Sequence, residues 1–222
     1  RAEDRRFERV VGLKVLTVDH VDDRARQRFE HECRAMGRLS WHPNVVAVYD
    51  TGATVEGRPW LAMEYLDAGS LADRLRHEGP LPWTDVAALG VHVAGALGSA
   101  HRSGVLHRDL KPENLLVGPF GEVKLGDFGI AAIEGSARTT TGQASFTVDR
   151  VAPEILDGHR PDERSDLYSL ASTLHTLVTG TAPFAAEANE PMSARIARLL
   201  RSPAPRLTEV PDPFADLIEQ ML

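Results

Sequence analysis

The stretch His107-Arg108-Asp109-Leu110-Lys111-Pro112-Glu113-Asn114 is the part of this 222-residue sequence from which its fold is predicted. Two shorter fragments follow it in order, Asp-Phe-Gly at 127–129 and Ala-Pro-Glu at 152–154. A tripeptide occurs by chance in roughly a few per cent of chains of this length, so each fragment alone is weak evidence. All three in this order are not expected by chance, which makes residues 107–154 the centre of the functional interpretation.

The composition is that of an ordinary globular protein, with 42% apolar and 26% charged residues. A net charge of −7 argues against a nucleic-acid-binding surface, which needs a basic face. The single cysteine, Cys33, excludes an internal disulfide framework and any multi-cysteine zinc site. No apolar run reaches the length of a membrane span, and the first residues do not form a signal peptide. We therefore expect a cytoplasmic protein with no membrane segment within this chain.

The three fragments resemble the signature set of the protein kinases. The residues between Asp109 and Asn114, Leu110-Lys111-Pro112-Glu113, are similar to those of the serine/threonine branch of the family. The sequence as a whole resembles the bacterial eukaryotic-like members. The resemblance implies an α+β, bilobal fold with a small β-rich N-lobe and a larger, mainly helical C-lobe. We expect residues 1–66 to form a partial N-lobe with helix C and the hinge strand, and residues 67–222 to form the C-lobe.

The N-lobe prediction depends on one lysine in an apolar strand. The segment Val11-Gly12-Leu13-Lys14 resembles the kinase strand Val-Ala-Ile-Lys, with glycine in place of alanine. The resemblance implies that Lys14 binds the α- and β-phosphates of ATP and pairs with a glutamate of helix C. Of the candidates Glu30 and Glu32 we select Glu32, because it lies one turn before Met36. The plain alternative is a lysine and a glutamate at the solvated surface.

A second group of residues is assigned to the adenine ring. The strand 60–65 resembles the one that enters the kinase hinge, so Met63 is the expected gatekeeper. The backbone from Glu64 to Leu66 is expected to hydrogen-bond adenine, and Leu116 is assigned to the same ATP site. The missing methyl group at Gly12 is expected to open the roof of this pocket slightly.

The resemblance also assigns the chemistry of phosphate transfer. Asp109 is expected to accept or orient the proton of the substrate hydroxyl, and Lys111 to stabilise charge on the transferred phosphate. Asn114 and Asp127 offer oxygen ligands, which suit the hard cation Mg²⁺ (or Mn²⁺). Lys14, Lys111 and Lys124 are the only lysines in an arginine-rich chain, and the last of them has no assigned role.

Other residues are expected to support this loop. By resemblance, His107 stacks with the phenylalanine of Asp-Phe-Gly, Phe128, and Asp166 braces the backbone of the loop. A metal-binding role for His107 together with the upstream His101 is less favoured, because no third ligand is in view. Ser70 is expected to cap the helix that begins at Leu71.

The polar segment between Gly129 and Ala152 is interpreted as an activation loop. The alternative is a flexible loop whose composition merely looks phosphorylatable. We expect autophosphorylation, with Arg108 as one receiver of the phosphate and a homodimer as the route for reaction in trans. Arg150 stands where the family has an aromatic residue, which is expected to alter the residue accepted just after the phosphosite. The candidate phosphosites are Thr139, Thr140, Thr141 and Thr147.

The predicted protein is therefore an ATP-dependent serine/threonine kinase acting on protein substrates. No Gly-x-Gly-x-x-Gly precedes Lys14. The resemblance then implies that the first two strands are absent, and that the sequence is a piece of a longer kinase with the fragment itself inactive. The alternative is a pseudokinase or an interaction module that retains the architecture. A P-loop NTPase is excluded, because none of the three lysines follows a glycine.

Overall fold

A computed structural model describes residues 1–16, 23–128 and 150–222. The four candidate phosphosites, Thr139, Thr140, Thr141 and Thr147, lie outside these described residues. Within the described ranges the chain forms six strands and seven α-helices. The strands are β1 (Ala2–Asp4), β2 (Arg9–Val15), β3 (Val48–Ala53), β4 (Pro59–Glu64), β5 (Leu115–Val117) and β6 (Val123–Leu125). The helices are α1 (Asp23–Leu39), α2 (Leu71–Glu78), α3 (Trp83–Arg102), α4 (Pro153–Leu156), α5 (Glu163–Thr179), α6 (Met192–Arg201) and α7 (Asp212–Met221).

The N-lobe is an antiparallel sheet in the order β1-β2-β4-β3, with α1 packed against β3 and β4. Apolar residues of α1 that recur every three or four positions, Phe29, Cys33 and Met36, are buried against the sheet. By the resemblance, the sheet is predicted without its first two strands, except for the exit from the second at residues 1–4. The structure forms the short strand β1 there, paired with the start of β2, and Arg9 and Asp4 form an ion pair across this ladder at 3.3 Å.

One strand begins later than the sequence predicts. The apolar, β-prone run from Val45 to Tyr49 predicts a strand, but β3 covers Val48–Ala53. Val46 instead donates its N–H to the carbonyl of Leu125 in β6, and Leu125 donates to the carbonyl of Asn44. The first half of the apolar run therefore joins the loop after α1 to the C-lobe, and its second half enters β3.

The C-lobe is built on two long helices, α3 and α5, that pack against each other. Gly90 permits this close approach, since a Cβ there would lie 3.2 Å from Leu174 Cδ1. Helix α5 begins at an Asp162 cap and ends at Gly180 in the left-handed region. The predicted Ser70 cap of α2 is confirmed as a capping box with Asp73. The mainly helical C-lobe and the small antiparallel N-lobe confirm the predicted α+β fold.

The short hairpin β5–β6 lies where the two lobes meet. Besides the Leu125 contacts, Asn44 Nδ2 donates to the carbonyl of Val123 at 2.8 Å, and Lys124 Nζ binds Glu64 Oε1 at 2.6 Å. Three consecutive residues of β6 thus contact N-lobe residues. The division into 1–66 and 67–222 stays a prediction. In the part of the chain that the structure describes, no helix combines the length and apolar character needed to cross a membrane.

Candidate active site

The loop 107–114 is held by a carboxylate inside helix α5. Asp166 is fully buried and accepts the backbone N–H groups of His107 and Arg108, each at 2.8 Å. His101 Nε2 lies 2.8 Å from the same carboxylate and must donate to it, because an ionised carboxylate only accepts. Arg108 has φ 67°, a left-handed conformation that residues with a side chain rarely adopt. The predicted bracing role of Asp166 is confirmed.

His107 joins this loop to the Asp-Phe-Gly segment. Its ring centroid lies 4.8 Å from that of Phe128, so the predicted contact is confirmed with tilted rather than parallel rings. Nε2 contacts the carbonyl of Gly126 at 2.9 Å, and Nδ1 faces the backbone N–H of Asp109 at 3.3 Å. These partners define one neutral tautomer, with the proton on Nε2. Burial lowers the pKa of His107 and thereby keeps the ring neutral.

Three predicted site residues of the loop come together at one carboxylate. Lys111 Nζ lies 2.6 Å from Asp109 Oδ2. Asn114 Nδ2 donates to the Asp109 carbonyl at 2.7 Å and to its Oδ2 at 3.2 Å. With its amide nitrogen so engaged, Asn114 keeps its side-chain oxygen available as a ligand.

Asp127, on the segment beside Asn114, and Lys14, from the opposite lobe, complete the cluster. Lys14 Nζ lies 3.0 Å from Asp127 Oδ2. Asp127 has φ 60°, so a second left-handed residue lies at this site. Gly126 donates its N–H to the carbonyl of Asn114 at 2.9 Å, which places the Asn114 and Asp127 segments side by side.

The predicted pair of Lys14 with Glu32 is not the one that forms. Glu32 Oε1 binds Arg108 Nη1 at 3.2 Å, while Lys14 binds Asp127. The physical reason is competition, because each charge is neutralised by the opposite charge that the fold brings within ion-pair distance. The four side chains are therefore paired crosswise relative to the prediction.

The residues assigned to adenine lie at or just after the end of β4, except for Leu116, which lies in β5. Gly12 lies opposite Met63 in the β2–β4 ladder, and a Cβ at Gly12 would lie 3.2 Å from Met63 Cγ. Met63 therefore packs close over the position where the sequence predicted an opened roof. Glu64 donates its N–H to the Ala47 carbonyl, whereas the backbone of the buried Leu66 makes no backbone hydrogen bond with the described residues. Leu116 is half-buried in β5, across the ladder from Lys124.

Sequence reasoning missed the role of Lys124. Its ammonium group lies 2.6 Å from Glu64 Oε1, and both side chains are about four-fifths buried. Glu64 Oε2 also accepts the N–H of Ala47 at 3.3 Å. The signal available in the sequence was the retention of a third lysine in an arginine-rich chain. The pair joins the strand that leads into the hinge to the strand that leads into Asp127.

A divalent cation fits this arrangement only if phosphate oxygens and water complete its coordination shell. Across residues 1–16, 23–128 and 150–222, no group of three or more His, Cys, Asp or Glu side chains could hold a metal ion by itself. Asn114 and Asp127 supply two side-chain oxygen donors on adjacent segments. Such a donor pair suits Mg²⁺, which commonly binds one or two protein groups and completes its shell with phosphate oxygens and water.

The fold and this cluster define the class of protein. The family profile described as "Protein kinase domain" matches residues 1–222, and the chain belongs to that family. It is 42% identical over 218 residues to serine/threonine-protein kinase PknK of Mycobacterium tuberculosis, a match that covers 97% of this chain and 20% of PknK. The identity to PknL of the same organism is 41% over 187 residues, covering 83% of this chain and 46% of PknL.

More distant bacterial kinases are also similar. Serine/threonine-protein kinase pkn3 of Myxococcus xanthus is 38% identical over 222 residues, which covers 96% of this chain and 40% of pkn3. The chain therefore spans between a fifth and a half of the length of these relatives. The predicted membership of the kinase family, with bacterial serine/threonine relatives, is confirmed.

Proposed function

We propose that this chain is the catalytic part of a serine/threonine protein kinase that transfers the γ-phosphate of ATP to protein hydroxyl groups. The observation that supports this most directly is the cluster of Lys111 and Asn114 around Asp109, next to the segment in which Asp127 pairs with Lys14. Phosphoryl transfer needs positioning and charge stabilisation more than covalent chemistry, and this cluster supplies both.

Each side chain then has a defined role. Asp109 accepts or orients the proton of the attacking hydroxyl, and Lys111 stabilises charge on the transferred phosphate. Asn114 and Asp127 hold Mg²⁺ (or Mn²⁺), which when bound neutralises phosphate oxygens. Lys14 binds the α- and β-phosphates once it leaves Asp127. The adenine ring lies between Leu116 and the hinge, where Met63, the Glu64 carbonyl and the Leu66 backbone meet it.

The crosswise ion pairs support a resting arrangement that activation must change. Glu32 is held by Arg108, so it is not free to orient Lys14. A phosphate on the segment after Asp127 competes with Glu32 for the Arg108 guanidinium, because a dianion binds arginine more strongly than a carboxylate does. We propose that autophosphorylation in a homodimer provides this phosphate and releases Glu32 towards Lys14. The acceptor candidates are Thr139, Thr140, Thr141 and Thr147.

The test of the kinase function is phosphate transfer by the full-length protein with Mg-ATP. Asp109→Asn keeps the size of the side chain and removes the carboxylate, so we expect a rate lower by about 10²-fold or more. Asp157→Asn, an exposed site away from the cluster, is the matched control and should retain the full rate. If the wild-type protein binds ATP but transfers no phosphate, the pseudokinase alternative replaces the proposal.

Mass spectrometry after incubation with Mg-ATP tests the autophosphorylation step. We expect phosphate on at least one of the four candidate threonines in the wild-type protein and none in Asp109→Asn. Mixing the Asp109→Asn protein with active wild type distinguishes the routes, because reaction in trans labels the inactive copy. An active kinase with no phosphate on any of these threonines would contradict this part of the proposal.

A further inference from the structure

Helix α5 holds two separate segments of the chain at fixed positions. Asp166 binds the backbone of the two residues just before Asp109. Three positions later, Ser169 Oγ lies 3.0 Å from the carbonyl of Arg150 and 3.0 Å from that of Ser165, so its one hydrogen is shared between them. Both anchors lie within one turn of one helix, about 5 Å along its axis. The backbone of Arg150 therefore has a defined position relative to Asp109.

A small cavity of about 60 Å³ opens between these two segments. Arg150, Asp109, Lys111 and Arg108 line it, together with apolar side chains such as Ile155. A cavity volume of about 10–15 Å³ on this scale already holds one water molecule, so the cavity can hold a group of a few atoms, such as a carboxylate. A protein segment that presents a hydroxyl to Asp109 can place the end of a neighbouring side chain here.

The three cations that line the cavity differ in how they are neutralised. Lys111 pairs with Asp109 at 2.6 Å, and Arg108 pairs with Glu32 at 3.2 Å. Arg150 has no ion pair with a described residue, and its buried Nε has no hydrogen-bond partner among them. A guanidinium in this condition attracts a carboxylate or phosphate, which it can bind through two parallel N–H groups.

We propose that Arg150 binds an anionic side chain on the residue that follows the phosphorylated serine or threonine. The protein then prefers acceptor sites in which Ser or Thr is followed by Asp, Glu or an already phosphorylated residue. This inference rests on the proposed kinase function and names the substrate class of the same site. The apolar wall around Ile155 strengthens the preference, because it excludes water from the pair.

The experiment uses the full-length protein, Mg-ATP and peptides that differ only at the residue after the acceptor. With Glu at this position we expect kcat/KM about tenfold above that with Gln, mainly through KM, since the two differ in charge and not in size. A peptide with phosphoserine at this position tests which anion is preferred. A kcat/KM above that of the Glu peptide means that Arg150 prefers phosphate, and one below it means that Arg150 prefers carboxylate. Equal use of Glu, Gln and Leu, or a preference for Lys, overturns the proposal.

Variants of the protein test whether Arg150 is the cause. Arg150→Gln should reduce the Glu-to-Gln ratio to about one, and Arg150→Glu should reverse the preference towards Lys, which a folding defect cannot produce. Arg160→Gln changes an exposed arginine that does not line the cavity and should keep the wild-type ratio. Equal loss of activity towards all peptides in the Arg150 variants would overturn the assignment. Failure of the wild-type protein on every peptide and on mixed protein substrates would instead refute the proposed function.

Discussion

The substitution Asp166→Asn removes the charge that holds the 107–114 loop on α5. The carboxylate is fully buried and accepts three N–H groups, from the backbone of His107 and Arg108 and from His101. Asparagine keeps one oxygen and turns an NH₂ group towards a donor. At least one buried N–H therefore loses its partner, and the remaining bonds are no longer assisted by charge.

The size of the effect follows from these contacts. A hydrogen bond to a charged group contributes about 1.5–3 kcal/mol, and an unpaired buried donor costs about 1–3 kcal/mol. Arg108 recovers part of this loss by relaxing from its left-handed conformation, which stores about 1–3 kcal/mol. We expect the free energy of unfolding to fall by about 3 kcal/mol. Loss of loop geometry should also lower kcat by about 10²-fold.

Urea unfolding of the full-length protein and its two variants measures the first quantity, and peptide phosphorylation measures the second. Asp157→Asn is the control, because this exposed carboxylate makes no hydrogen bond through its side chain with the described residues, and it should change stability by less than about 0.5 kcal/mol. A loss below about 1 kcal/mol together with an unchanged kcat would refute the argument that Asp166 positions the loop.

Two further predictions concern the lobe junction and the buried histidines. In a double-mutant cycle of Lys124→Met and Glu64→Gln, we expect a coupling free energy of about 1 kcal/mol. We also expect a KM for ATP that rises more than kcat falls, because Glu64 begins the segment proposed to bind adenine. Additive effects on stability and ATP affinity would contradict this prediction. Burial lowers the pKa of His107 and His175 from the usual histidine value of 6.5. Below pH 6.5 these two side chains therefore bind protons in the unfolded chain, while in the folded protein they stay neutral. Stability is therefore fully present above pH 6.5 and declines as the pH falls, by up to about 1.4 kcal/mol per histidine between pH 7.5 and 5.5. Urea unfolding at the two pH values measures this, and an unfolding free energy that is constant or rises on acidification would contradict it. Asp73 and Glu190, whose carboxylate pKa is lowered to about 2, change the stability only at lower pH. They therefore do not hide the loss of stability caused by the histidines.

Features that depend on neighbouring residues were predictable. The capping box of α2 needs only Ser70 and Asp73, three positions apart. The β4 strand and the long α3 helix follow from local periodicity. The residue types at the start of α3 predict a cap at Thr84, but the helix begins at Trp83 and has no side-chain cap. Such boundary differences are small, because helix ends fray and the first N–H groups of a helix can bind water instead of a side-chain cap.

The Val45–Tyr49 run shows where periodicity fails. An apolar run of five residues is compatible with a strand, but its first half binds a strand of the other lobe, which no local pattern encodes. The same holds for Met63, whose packing over Gly12 depends on the register of two strands about fifty residues apart. Register is set by the whole sheet and is not a property of either segment.

The sequence by itself determined which chemical groups this protein brings to its site, because the spacing within 107–114 and the order of the later motifs carry the kinase resemblance. Tertiary structure alone decided how those groups are paired. Glu32 binds Arg108 across 76 positions, Lys124 binds Glu64 across 60, and Lys14 binds Asp127 from the opposite lobe. An ion pair is a competition among all opposite charges within a few ångströms, and only the folded chain determines which charges are that close.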